Sequence, residues 1–153
     1  MKKVLAITLA LLAPALALAC FGAELRIGVG KERADAFASY ALGFFIEEKT
    51  GIEPLFVETD DSKTFAENKI DLRILPATSA TPAGAFKQQP LKTPGGEAAI
   101  WLTSEVKDDI RFTTLERALK IAGGFFSSKA LNEAASQSGE PKKAARKAVL
   151  DAQ

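Results

Sequence analysis

The succession of apolar patterns between residues 25 and 75 constrains this chain most, because it reads strand, helix, strand, helix, strand. Leu25, Ile27 and Val29 alternate with Arg26 and Gly28, the period of a strand, which ends at Gly30. A helix is predicted over 34–49. Phe37, Ala41, Phe44 and Phe45 form its apolar stripe, and Asp35, Ser39 and Glu47 fall on the other side. Gly51, just beyond, is placed to stop it in a left-handed conformation. Residues 52–58 read as a second strand with Pro54 near its start, where a missing N–H does least harm. A short helix over 62–68, with Asp60 and Asp61 as candidate caps, leads to a third strand. That strand carries Ile70, Leu72, Ile74 and Leu75 and is closed by Pro76. Two such crossovers predict parallel strands joined by right-handed connections.

The character changes at residues 76–97, PATSATPAGAFKQQPLKTPGGE, which hold four of the seven prolines and no usable periodicity. This stretch reads as a linker-like loop. A short strand is expected over 98–102, a turn over 104–109, and a helix over 114–122. The box Thr113-Thr114-Leu115-Glu116 is expected to open that helix, and Gly123 with Gly124 to stop it. Leu115 and Leu119 share one face of it, and Glu116 with Lys120 form an i, i+4 pair. Two more helices are expected over 128–137 and 141–152, the last with Pro141 in the first helical position. Its Lys142, Lys143, Arg146 and Lys147 read as solvated cations. The expected fold is α/β, a mostly parallel sheet of about four strands flanked by helices, with a helical C-terminal tail.

Before residue 25 lies a different kind of segment. Lys2 and Lys3 precede a run from Val4 to Ala19 whose only polar residue is Thr8, and Ala17 with Ala19 supply an A-x-A cleavage site. The run falls short of the ~20 residues of a spanning helix, and Pro14 interrupts it. Residues 1–19 therefore read as a signal peptide and 20–153 as one domain working in the periplasm. No membrane span is expected after processing. Cys20 stands where a lipid anchor would be attached, but Leu18 is one place from the position such a motif needs, so a soluble protein is preferred. With Lys2 and Lys3 removed, 18 basic side chains face 19 acidic ones. That balance gives no electrostatic footprint for nucleic acid or anionic lipid.

Histidine is absent, which removes Ser-His and Cys-His nucleophilic machinery and the commonest metal ligand. A single cysteine excludes an intramolecular disulfide. Gly28-Val29-Gly30 begins a dinucleotide fingerprint, but its third glycine would stand at position 33, which is Arg33. No cofactor and no enzymatic activity are expected. Trp101, in the run Ala99, Ile100, Leu102, reads as a core residue rather than part of an aromatic cage.

In an open parallel sheet, ligands bind beyond the carboxyl ends of the strands, at helix N-termini. That rule selects Gly30, Lys31 and Arg33 after the first strand, Asp61 and Ser62 after the second, and Thr78, Ser79 and Thr81 after the third. Backbone N–H groups with Lys31 and Arg33 suit an anionic group, and the hydroxyls add hydrogen bonds.

The stretch ELRIGVGKERADAFASYALGFFIEEKTGIEPLFVETDDSKTFAENKIDLRIL resembles the opening lobe of type 2 periplasmic substrate-binding proteins of ABC transporters. The closing TSEVKDDIRFTTLERALK and SSKALNEAASQSGEPKKAARKAVL are similar to the carboxyl ends of the glycine-betaine/choline-type and phosphonate-type branches. Members of that family close two lobes over a ligand. Here only residues 76–97 lie where a second lobe would be inserted, so the resemblance implies a single lobe. It further implies a small anionic or zwitterionic ligand and an ABC permease as partner. The alternative is a scaffold whose open shelf docks a protein partner or forms a homodimer.

Overall fold

The computed structural model describes residues 24–109 and 112–152. The segment expected to be a signal peptide, its expected cleavage site and Cys20 lie outside the described residues. β1 (Leu25–Val29), α1 (Arg33–Thr50), β2 (Pro54–Glu58), α2 (Phe65–Asn68) and β3 (Leu72–Pro76) follow one another as the apolar periods require. β1 pairs in parallel with both β2 and β3. Gly51 ends α1 with φ 72°, and its N–H donates to the Glu47 carbonyl at 2.8 Å.

After β3 the expectation of a loop is overturned. β4 (Ala85–Thr93) and β5 (Gly96–Thr103) form an antiparallel hairpin, and β5 runs antiparallel to β3. The sheet has five strands in the order β2-β1-β3-β5-β4 and is mixed rather than mostly parallel. Strand β4 hides from a periodicity reading because it is an edge strand. It has a register irregularity between Lys87 and Gln89 and contains Pro90, the signature of an edge that avoids further pairing. Only Leu91 of β4 is buried. The register sets Ala85 opposite Thr103, level with the amino end of β3. Residues 77–84 must therefore run back along the sheet from the carboxyl end of β3.

Among the described residues four helices follow: α3 (Ser104–Asp108), α4 (Phe112–Phe126), α5 (Lys129–Ser136) and α6 (Pro141–Asp151). Helix α4 departs from expectation at both ends. Thr113 stands inside its first turn rather than at a cap, and the helix continues through Gly123 and Gly124. Each glycine costs a helix about 1 kcal/mol. Beyond them Phe125 and Phe126 are buried, and Phe125 stacks on Phe45 with ring centroids 4.7 Å apart. Burying two aromatic rings contributes ~1.5–3 kcal/mol each, enough to carry the helix past both glycines.

The larger core lies between the sheet and the helices. Ile27, Leu72, Ile74, Ile100 and Leu102 from the strands meet Leu42, Ile46, Leu119, Phe126 and Leu131. Helix α1 packs on the sheet and also on α4 and α6, so it is buried on more than one side. Ser39, expected on its outer face, is for that reason 1% exposed. The cations of α6 are exposed, as expected, and three of them also make contacts. Lys142 Nζ lies 5.4 Å from the Phe56 ring centre, the Arg146 guanidinium 4.8 Å from that of Phe44, and Lys143 pairs with Glu140 at 3.0 Å. On the opposite face of the sheet a smaller cluster gathers Phe65, Ile70, Ala99 and Trp101, with Val57, Leu75 and Ala85 packed against it.

Candidate functional site

The smaller face carries the most unusual side chain of the sheet. Arg73 alternates with Leu72 and Ile74, which point to the main core, so its own side chain lies on the other face with Trp101, its partner across β5. Gly28 is its partner on β1, and the missing Cβ there makes room for its stem. A Cβ on Gly28 would stand 3.2 Å from Arg73 Cδ and 2.7 Å from Ile70 Cδ1. Arg73 is 7% exposed overall. Its Nη2 donates to Asp61 Oδ1, and its Nε is buried with no hydrogen-bond partner among the described residues. Trp101 Nε1 and Thr103 Oγ1 share that condition.

Above Arg73 opens a hollow of about 510 Å³. One wall is the turn after β2, with Asp61, Ser62, Lys63, Thr64 and Phe65. The other is the returning segment, with Ser79, Ala80, Thr81, Pro82 and Ala83. Leu75 and Pro76 complete the β3 side, and Asp35 from the first turn of α1 closes the end beside Gly30. Two carboxylates and two cations thus line the space, together with the hydroxyl residues Ser62, Thr64, Ser79 and Thr81.

The turn after β2 is rigid for reasons its composition explains. Asp60 Oδ1 accepts from the backbone N–H of Ser62 at 3.0 Å and from its hydroxyl at 2.7 Å. These bonds hold the Asp60 carboxyl below its ordinary range, hydroxyl first, then backbone N–H. Asn68 ties the same loop down, donating to the carbonyls of Asp60 and Lys63 and accepting from Asp60 N–H. The cap of α2 is Thr64, not Asp60 or Asp61. Thr64 Oγ1 accepts from Glu67 N–H at 3.3 Å, and Glu67 Oε2 accepts from Thr64 N–H at 2.8 Å, a reciprocal box.

The eight residues selected from the sequence do not form one site. Asp61, Ser62, Ser79 and Thr81 line the hollow over Arg73. Gly30 and Lys31 line a second hollow of about 310 Å³, with Tyr40, Glu58, Glu140 and Lys142. Burial, then Glu58 and Glu140, raise the Tyr40 hydroxyl above its ordinary pKa. Thr78 is exposed and lines neither space. Arg33 also lines neither space. Its guanidinium donates to the carbonyls of Gln137 and Gly139, tying the start of α1 to the α5–α6 connection. The N-terminus of α1 already carries Glu32 and Asp35, which satisfy the helix dipole and oppose a further anion.

No protein-family model, curated protein or solved structure matches the chain. The site is therefore characterised by its own chemistry. Arg73 is the residue that reading by loops missed, because it sits inside a strand. The signal was nonetheless present in Leu72-Arg73-Ile74-Leu75, a charge in the middle of an apolar strand. Among the described residues no group of three His, Cys, Asp or Glu side chains is arranged to hold a metal ion. No described helix is long and apolar enough to cross a membrane.

Proposed function

We propose that this chain is a non-catalytic, single-lobed solute-binding module that works outside the cytoplasm and takes a small anion or zwitterion. The observation that carries the reading is Arg73. A buried guanidinium is costly unless paired and fully hydrogen-bonded, yet this one keeps a free Nε beneath an open hollow. An arginine held that way is suited to a planar or tetrahedral oxyanion, with the hydroxyls of Ser79 and Thr81 as further donors. Delivery of the ligand to an ABC permease is the role implied by the resemblance to type 2 substrate-binding proteins. The balance of Asp35 and Asp61 against Lys63 and Arg73 favours a ligand of low net charge.

One lobe leaves the ligand partly in water, where screening and competing hydrogen bonds weaken charged contacts. Dissociation constants in roughly the micromolar to millimolar range are expected. The test is the thermal midpoint of the purified protein against phosphonates, phosphate, glycine betaine, choline and amino acids. A true ligand raises the midpoint by mass action, and the rise disappears in Arg73→Lys. A panel without any shift refutes the reading.

A second reading, docking of a protein partner or of another copy, draws on a different surface. Phe45, Ile121, Gly124, Phe125 and Val149 line a groove in the helical layer, and Ile121 is 53% exposed. Sedimentation as a dimer that Ile121→Glu dissociates would support it.

A further inference from the structure

The hollow over Arg73 is already partly occupied by the protein itself. In a guanidinium, Nε–H and one Nη–H point to the same side, and a two-oxygen anion accepts from both in parallel. Here Asp61 Oδ1 accepts from Nη2 alone, and the neighbouring Nε is left without a partner. The two side chains also differ sharply in burial, 8% exposed for Arg73 and 71% for Asp61. A fixed structural pair would be enclosed from both sides. This one is a buried cation met by a carboxylate that stands largely in solvent.

The turn that carries Asp61 does not depend on that contact. Asp60, Ser62 and Asn68 hold its backbone through their own hydrogen bonds. Asp61 can therefore rotate away with the turn intact. Once it leaves, Nη2 of Arg73 is freed at the hollow with the buried Nε–H beside it. Lys63 lines the same space, and Asp35 stands close by, flanking Gly30 together with Nη2. Asp35 opposes a dianion and suits a monoanion or a ligand carrying its own cation.

We propose that Asp61 is a displaceable internal occupant of an oxyanion subsite on Arg73, and that a small carboxylate or phosphonate enters by bridging Nε and Nη2 and turning Asp61 out to solvent. The proposal rests on the solute-binding reading above and adds its ligand class and its internal competitor. A site occupied by its own carboxylate binds ligand with an affinity lowered by the fraction of time it is free.

Calorimetry with methylphosphonate and with propionate, choline serving as cation control, tests this in wild type, Asp61→Asn and Arg73→Lys. Removing the competitor should tighten binding of an oxyanion by about three- to tenfold in Asp61→Asn. Arg73→Lys, a point charge without a fork, should lose it, and the tighter probe identifies the anionic group. The Arg73 Nε–H resonance should shift when wild type is titrated, a readout that stands even if Arg73→Lys fails to fold. Equal affinity in wild type and Asp61→Asn, with loss in Arg73→Lys, overturns displacement and leaves the binding reading intact. Weaker binding in Asp61→Asn also overturns it, making Asp61 a ligand contact. Absence of binding in wild type and Asp61→Asn, with an unmoved Nε–H resonance, overturns both.

Discussion

Gly28→Ala probes how the sheet makes room for its buried arginine. An added Cβ would stand 2.7 Å from Ile70 Cδ1, 2.9 Å from Thr59 Cγ2 and 3.2 Å from Arg73 Cδ. None of these neighbours can yield freely, since Ile70, Thr59 and Arg73 are 3%, 2% and 7% exposed. Overpacking of this kind costs about 1–3 kcal/mol, and replacing a strand glycine by alanine returns about 0.5–1 kcal/mol of backbone entropy. The expected net loss is about 0.5–2 kcal/mol, a fall of roughly 0.3–1 M in the urea midpoint at unchanged slope. Gly123→Ala is the matched control. It lies inside α4, and beyond its chain neighbours and its own helix backbone nothing stands within 4 Å of the position its Cβ would take. There the same chemical change should stabilise by up to about 1 kcal/mol. Opposite signs at the two positions are the prediction. A Gly28→Ala protein as stable as wild type would refute the crowding argument, and a destabilised Gly123→Ala would refute the account of α4.

Other expectations follow from named contacts. Arg33→Ala should destabilise by about 1–2 kcal/mol, as its carbonyl contacts to Gln137 and Gly139 are lost, while calorimetry finds oxyanion affinity unchanged. Glu67 is held below the ordinary glutamate range by the backbone N–H and then the hydroxyl of Thr64. Its contribution to stability is thus present above the ordinary carboxylate range and lost as pH falls through the lower folded value. An NMR titration should show that low midpoint, and Thr64→Ala should raise it only part of the way, because the backbone N–H of residue 64 still donates to Glu67. Mass spectrometry of the secreted protein should find an N-terminus between Cys20 and Glu24. A diacylglyceryl adduct on Cys20 or a retained N-terminus would contradict the processing expected from the sequence.

Regular periods made the first half of the fold legible. Leu25, Ile27 and Val29 alternate, Gly51 stops a helix where a left-handed residue is needed, and Pro141 begins another. The hairpin was hidden because its outer strand has few buried residues, a register break and a proline. Composition alone makes such an edge look like a loop. Gly123 and Gly124 misled for the converse reason, since Phe45 holds the helix beyond them through a contact distant in sequence. Ser39 is buried because α1 packs on the sheet, α4 and α6 together, which no local pattern of α1 reveals. At the site, the loop rule reached Asp61, Ser62, Ser79 and Thr81 but overlooked Arg73. It also enlisted Arg33, whose partners lie more than a hundred residues away.

The most direct test of the central claim is a crystal structure of the protein grown with methylphosphonate or glycine betaine. The account predicts density in the hollow between Ser62 and Thr81, two oxygens on Nε and Nη2 of Arg73, and the Asp61 carboxylate turned away. A ligand bound elsewhere, or an unchanged Arg73–Asp61 pair at saturating ligand, would contradict it.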